Sequence, residues 1–290
     1  MYRMVSEIEF ETDLSFCKSG EEKIFGGPVS GISGGRCDSI GYDERPMPWC
    51  FRPWIFLLLI PLSSCRGPRT APAIADVSPA VSVTRAEALA IAEAYRTHRW
   101  KPDIRNVRHG HDARGIRVDT PDRDFKPEGG MRPGWWIPGE WNKGIPYQWG
   151  GFDSPAQFDA KVAAGYAAGD VYTPAKRAAL YDAISMEACG IDCSGFISRC
   201  WRLPRPYSTR ELPALCEPLA SFSALKPGDI LNKTNEHVLL FAAWSDVAKT
   251  SLLAYETGSP PTWKVVCHLI PTDFLLQQGY RPFRYRAMRD

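Results

Sequence analysis

The sequence predicts an α+β fold built on an antiparallel sheet, and three observations carry that expectation. Alanine-rich segments with helical spacing come first in the globular part of the chain, and short apolar runs parted by turn signals follow them. The composition, 44% apolar and 23% charged, is that of a globular chain and is too apolar for a disordered one. The length of 290 residues is enough to bury a sizeable core in one or two domains. The 35 basic and 33 acidic residues leave a formal charge of +2, so nothing points to nucleic acid, which usually requires a clustered basic face. No internal repeat is visible.

The first 65 residues differ from the rest. Trp54 to Leu62 (WIFLLLIPL) is strongly apolar, but nine residues cannot span a bilayer, which takes about 20. The length suits the apolar centre of a secretory signal. Leu62-Ser63-Ser64-Cys65 follows and resembles a bacterial lipobox, in which Cys65 is lipidated and becomes the mature N-terminus; the competing reading is a short buried strand ending in an ordinary cysteine. Residues 1–46 carry nine acids and five bases, whereas a signal should open short and positive. Translation from Met47, with Arg52 just before the apolar run, restores that pattern. Residues 1–46 are therefore expected to be a mis-assigned start, or else a glycine-rich flexible extension. Residues 47–65 are expected to be a lipoprotein signal and 66–83, rich in Pro and Ala, a flexible tether. Beyond Cys65 the chain has 24 acids and 29 bases, a modest excess that suits work beside anionic envelope polymers.

Residues 84–140 form an N-terminal helical and loop segment. Thr84-Arg85-Ala86-Glu87 is a capping box and predicts a helix to about Trp100, with Ala88, Leu89, Ala92, Ala94 and Tyr95 on its apolar side. Strand-like alternation surrounds Ile116 and Val118, and Pro and Gly punctuate residues 125–139. From Trp141 onward the pattern is that of the main domain, 141–290. Two alanine-rich helices are expected from Phe158 to about Gly169 and from Pro174 to about Cys189, and a third from Asp192 to about Leu203. Strands are expected at Asp229–Asn232, Val238–Trp244, Ser251–Glu256, Trp263–Ile270 and Arg281–Arg286.

Three pieces of this domain bear chemistry. In Asp192-Cys193-Ser194-Gly195-Phe196 the aspartate is a good N-cap, and Phe196, Ile197, Cys200 and Trp201 recur at helical spacing. Cys193 therefore falls in the first turn of a helix, where free N–H groups and the dipole favour thiolate over thiol. Glu236-His237-Val238-Leu239-Leu240-Phe241 opens a strand with a histidine, one of only five in the chain. It follows Leu225-Lys226-Pro227-Gly228-Asp229-Ile230-Leu231, a turn into another strand. Pro146-Tyr147-Gln148-Trp149-Gly150-Gly151 suits a loop whose backbone passes close to a site. A cysteine opening a helix and a histidine on a later strand is the order used by papain-like enzymes.

Together these segments resemble the NlpC family of papain-like cysteine peptidases, which cut the peptide stems of bacterial cell wall. PYQWGG is similar to that family's Tyr-x-Trp-Gly-Gly segment, DCSGF to its nucleophile motif, and LKPGDIL and HVLLF to its turn–strand and histidine strand. The resemblance covers about residues 141–286 and implies a papain-like core with the nucleophile helix packed on the sheet. It implies that Cys193 is the nucleophile and His237 the base. It places the residue that orients the histidine on the next strand, where Glu256 stands at the matching point; Asp246 lies in the intervening turn and His268 one strand later. It sets Tyr147 near the oxyanion, beside the Cys193 backbone N–H, with Ser194 as a further substrate or oxyanion contact. The implied reaction is hydrolysis of a peptidoglycan stem-peptide amide through a Cys193 thioester. It needs no cofactor and no metal, and the protein is a monomer, lipid-anchored and facing the periplasm or exterior. An acyltransferase or deamidase on the same fold, and a non-catalytic envelope-binding lipoprotein, stay open.

One departure from the family is large. It has only a short loop between the Trp-Gly-Gly segment and the cysteine, whereas here 41 residues lie between Gly151 and Cys193. This insertion, about 152–190, is expected to be mostly helical and to lie near the cleft entrance. His109 and His111 share a face if their segment is a strand, but they lack the pattern of the common zinc motifs. Cys189, Cys200, Cys216 and Cys267 allow two disulfides in an exported protein, with the pairing undetermined, and Cys189 could also bridge Cys193. Trp135, Trp136, Trp141 and Trp149 are core residues or the walls of a groove.

Overall fold

The computed structural model describes residues 81–127, 133–258 and 262–290. Met47, the apolar run and Cys65 lie outside the described residues, as does most of the tether. The fold is α+β. Its five α-helices among these residues are α1 (Arg85–Thr97), α2 (Pro155–Ala163), α3 (Pro174–Ala179), α4 (Cys193–Cys200) and α5 (Thr272–Gln277). The main sheet is formed by β1 (Cys216–Pro218), β2 (Ile230–Lys233), β3 (His237–Trp244), β4 (Ser251–Gly258), β5 (Thr262–Pro271) and β6 (Arg281–Tyr285). The strand order is β5-β4-β3-β2-β6-β1, and every neighbouring pair is antiparallel.

Successive side chains of a strand point to opposite faces, and β3 is apolar on both, as expected of a strand covered on two sides. Val238, Leu240 and Ala242 join Tyr255 and Val265 in a core that includes Ala88 and Ala92 of α1 and Phe196, Ile197 and Cys200 of α4. Leu239 and Phe241 face the other way, into a second core with Leu252, Ala254 and Ile270, closed by Leu275 of α5. Burying a side chain such as Phe196, which has no exposed surface, contributes about 2–3 kcal/mol. Trp201, just past α4, stacks on Tyr285 of β6 with ring centroids 4.8 Å apart. These contacts hold α4 in a fixed position against the sheet.

Local signals placed most elements correctly. The Thr84 box caps α1 as expected, Thr84 accepting from the Glu87 N–H and Glu87 accepting from the Thr84 N–H. That helix stops at Thr97 because Trp100 instead pairs in a short strand with Asn142. Cys216–Pro218 and α5 were not expected from the sequence. Among the described residues no helix is long and apolar enough to cross a membrane.

The insertion is less helical than its alanine content implied. Its first helix stops at Ala163, before the positive-φ Gly165, and its second stops at Ala179, before Leu180 at φ 53°. Ala167–Ala168 and Ala188–Cys189 then pair as short parallel strands. Alanine has no branched or aromatic side chain to mark a strand, so its helical propensity dominated the sequence reading. The segment is also more than a flap at the entrance. Gln148 bridges Asp170, while Tyr147 and Phe152 both bridge Ile191, so the insertion is woven into the loop that carries the PYQWGG motif.

Candidate active site

Asp192 is the N-cap of α4, so Cys193 is the first residue of the helix. The Asp192 Oδ1 accepts from the Gly195 N–H at 2.5 Å and from the Ser194 hydroxyl at 3.0 Å. Burial raises the Asp192 carboxyl to about 6, against the opposing pull of those hydrogen bonds. Gly195 is small for a packing reason: a Cβ there would lie 2.3 Å from the carbonyl oxygen of Gly151. The glycines of the WGG and DCSGF segments therefore touch backbone to side-chain position, which brings two of the three sequence motifs together.

The third motif arrives through strand register. Leu240 of β3 lies opposite Tyr255 of β4, so Leu239 and Glu256 share a face with His237, and Glu256 is a diagonal neighbour of His237. His237 Nε2 is 2.6 Å from Glu256 Oε2. The ring shares its cleft with Cys193. Burial alone would lower the His237 pKa. The charge and hydrogen bond of Cys193, followed by those of Glu256, outweigh it and push His237 up to about 10. The ring is thus cationic at neutral pH. Burial works on Glu256 in the opposite sense, but hydrogen bonds from His237 and His268 hold its carboxyl below the ordinary 4.5.

Glu256 thus joins two imidazoles, because His268 Nε2 hydrogen-bonds its Oε1. His268, set aside in the sequence reading as one strand too late, belongs to the constellation. Val266 is paired with Glu256 and His268 with Ala254, which places His268 two residues along on the same face. Alternation along β5 was legible in the sequence, but the β4–β5 register that brings this face to Glu256 was not. Asp246, by contrast, is used in its own turn, accepting from the Thr250 and Ser251 N–H groups.

Tyr147 is buried, its ring tilted against Trp263 at 5.5 Å. Burial and then the nearby Cys193 charge push its hydroxyl well above the ordinary tyrosine range. The Cys193 N–H has no carbonyl partner within its helix, as in any first turn. Ser194 lines the same cleft, but its hydroxyl is directed to Asp192.

Tyr147, Asp192, Cys193, Ser194, His237, Glu256 and His268 line one cleft of about 950 Å³. One wall comes from the motif loop and the insertion, including Trp149, Tyr172, Arg177 and Tyr181, and another from the strand and α5 side, including Leu269 and Phe274. The four tryptophans divide: Trp136 is core, Trp149 lines the cleft, Trp135 is half-buried, and Trp141 is 62% exposed. The five cysteines of the described residues are free thiols, so neither the two disulfides nor a Cys189–Cys193 bridge is formed. Burial pushes Cys267 up to about 11 and Cys216 to about 12, and raises Cys189 and Cys200 too. Among the described residues no cluster of His, Cys, Asp or Glu could hold a metal ion. His109 instead sits between Asp119 and Asp122, at 3.4 and 3.0 Å.

Comparison with protein-family models, curated proteins and solved structures finds no match to this chain.

Proposed function

We propose that the protein is a cysteine hydrolase with a papain-like core, acting on an amide of peptidoglycan stem peptides. The observation that carries this reading is the alignment of Cys193 in a helix's first turn, an imidazolium at His237 and a buried carboxylate at Glu256 in one cleft. Sγ of Cys193, held as thiolate beside the imidazolium, attacks the amide carbon. The carbonyl π electrons move to oxygen, and that oxyanion is met by the Cys193 N–H with Tyr147 alongside. His237 gives its proton to the leaving nitrogen as the C–N bond breaks, which leaves a Cys193 thioester and a neutral imidazole. A water then gives a proton to His237 and attacks the thioester. The tetrahedral species collapses with cleavage of the C–S bond to a carboxylic acid, which leaves and gives its proton to solvent, and the thiolate–imidazolium pair is regenerated.

The substrate class follows from the resemblance of PYQWGG, DCSGF and HVLLF to the NlpC segments. The lipid anchor at Cys65 and the envelope location rest instead on the lipobox-like Leu62-Ser63-Ser64-Cys65 behind its apolar run, and the protein is proposed to act as a monomer. The reaction uses no cofactor. The test is digestion of purified cell wall with product analysis by mass spectrometry: the chain releases shortened stem fragments, and Cys193→Ala releases none. Equal release by Cys193→Ala would refute the assignment.

A second reading, acyl transfer or deamidation on a lipid amide, is favoured by the exposed apolar side chains Tyr181, Leu269 and Phe274 in the cleft, 71%, 55% and 47% exposed. Thiol-dependent turnover of a lipid amide, with wall fragments left intact, would select it.

A further inference from the structure

We infer that Arg177, carried by the insertion, is a substrate-binding residue that takes a carboxylate of the peptide bound in the cleft. This rests on reading the cleft as the hydrolase site, and it assigns a role to the segment that departs most from the family.

The cations lining the cleft are not equivalent. Lys233 is paired with Glu236 at 2.6 Å, and Arg210 hydrogen-bonds Asn235. The acids are engaged as well: Asp192 caps α4, and Glu256 joins two histidines. Arg177 is half-buried, and among the described residues its guanidinium has no hydrogen bond and no ion pair. Partial desolvation of a cation without a partner is a cost that a bound anion offsets.

The side chain is also held in place from its own backbone. Lys176, the preceding residue, is buried and ion-paired with the fully buried Asp170, which fixes the rotation of α3. Thr173 caps that helix by accepting from the Lys176 N–H at 3.2 Å. At the other end Leu180 takes a left-handed conformation, φ 53°, and its carbonyl accepts from the Trp149 indole at 3.1 Å. A non-glycine residue at such an angle costs of order 1–3 kcal/mol, so the surrounding packing must enforce it. The insertion thus ties its short helix directly to the PYQWGG loop and presents a guanidinium to the cleft on a rigid mount. A planar guanidinium matches a carboxylate through two parallel hydrogen bonds, which neither a carboxamide nor a lysine reproduces. Trp149 and Tyr172, 5.7 Å apart, give the apolar flank for the rest of that part of the peptide.

The test uses two synthetic stem tripeptides, one with free carboxylates and one with the same groups as carboxamides. Binding is measured by calorimetry on the full chain carrying Cys193→Ala, with and without Arg177→Gln or Arg177→Lys. The carboxylate peptide should bind about tenfold to a hundredfold more tightly. Arg177→Gln should abolish that preference, and Arg177→Lys should retain part of it. A preference that survives Arg177→Gln, or no binding of either peptide, overturns the inference. Hydrolysis of the same peptides by the unmutated chain separates the two claims. Peptides bound with the Arg177-dependent preference but never cut leave Arg177 assigned and defeat the hydrolase reading. Peptides cut with a preference indifferent to Arg177 do the reverse.

Discussion

Glu256 Oε2 lies 2.6 Å from His237 Nε2, on the neighbouring strand and one diagonal step along the same face of the sheet. With the charge of Cys193, this contact keeps the ring protonated against the pull of burial. An ordinary histidine near 6.5 would be mostly neutral at pH 7, whereas one raised to about 10 is an acid ready for a leaving amine.

The pH dependence follows with its sign. A histidine whose folded pKa exceeds its unfolded one stabilises the chain fully below about 6.5, and that contribution fades as pH rises through about 10. The alkaline limb of kcat/KM on wall fragments should therefore fall near pH 10. Glu256→Gln removes a carboxylate that holds the proton, so the limb should move toward neutral pH and turnover should drop about a hundredfold. A pH–rate profile of both proteins checks this; an unmoved limb would mean that Glu256 does not govern His237.

His268 is a positioning residue, touching the carboxylate and not the nucleophile. His268→Ala should lower kcat about tenfold, shift the alkaline limb part of the way that Glu256→Gln does, and leave KM nearly unchanged. His268→Gln, which keeps an N–H donor, should restore much of the loss. The kcat–KM split and the rescue are the readouts, since a purely structural role would not give both.

The buried pair of Lys176 and Asp170 anchors the insertion. Burial already raises the Asp170 carboxyl to about 7 against the pull of Lys176, so Lys176→Met would leave Asp170 protonated and short of its partner in the interior, which costs about 1–3 kcal/mol. Urea unfolding should show that loss, and adding Asp170→Asn should recover part of it. A single variant as stable as the parent would show that the pair does not hold the segment.

Where local patterns sufficed, the sequence was readable. Thr84 and Glu87 announced α1, Asp192 announced the start of α4, and the apolar runs of β2 to β6 were placed within a few residues of their ends. What it lacked was register and fine packing. His268 reaches Glu256 only because β4 and β5 pair as they do. Arg177 becomes conspicuous only when its neighbours in space are known, since a cation on a short alanine-rich helix reads as an ordinary solvated side chain. The Ala167 and Ala188 strands were hidden by a residue that favours helices yet fits a buried pair, both side chains being 1% exposed.

The central claim is that His237 makes Cys193 a nucleophile unlike the other thiols of the fold. Brief treatment with iodoacetamide at pH 7, followed by peptide mapping, measures this with internal controls. Cys193 should be labelled at least about tenfold faster than Cys189, Cys200, Cys216 and Cys267, whose thiols burial holds protonated, and His237→Ala should erase most of the difference. Labelling of Cys193 no faster than those four, or a rate indifferent to His237→Ala, would contradict it.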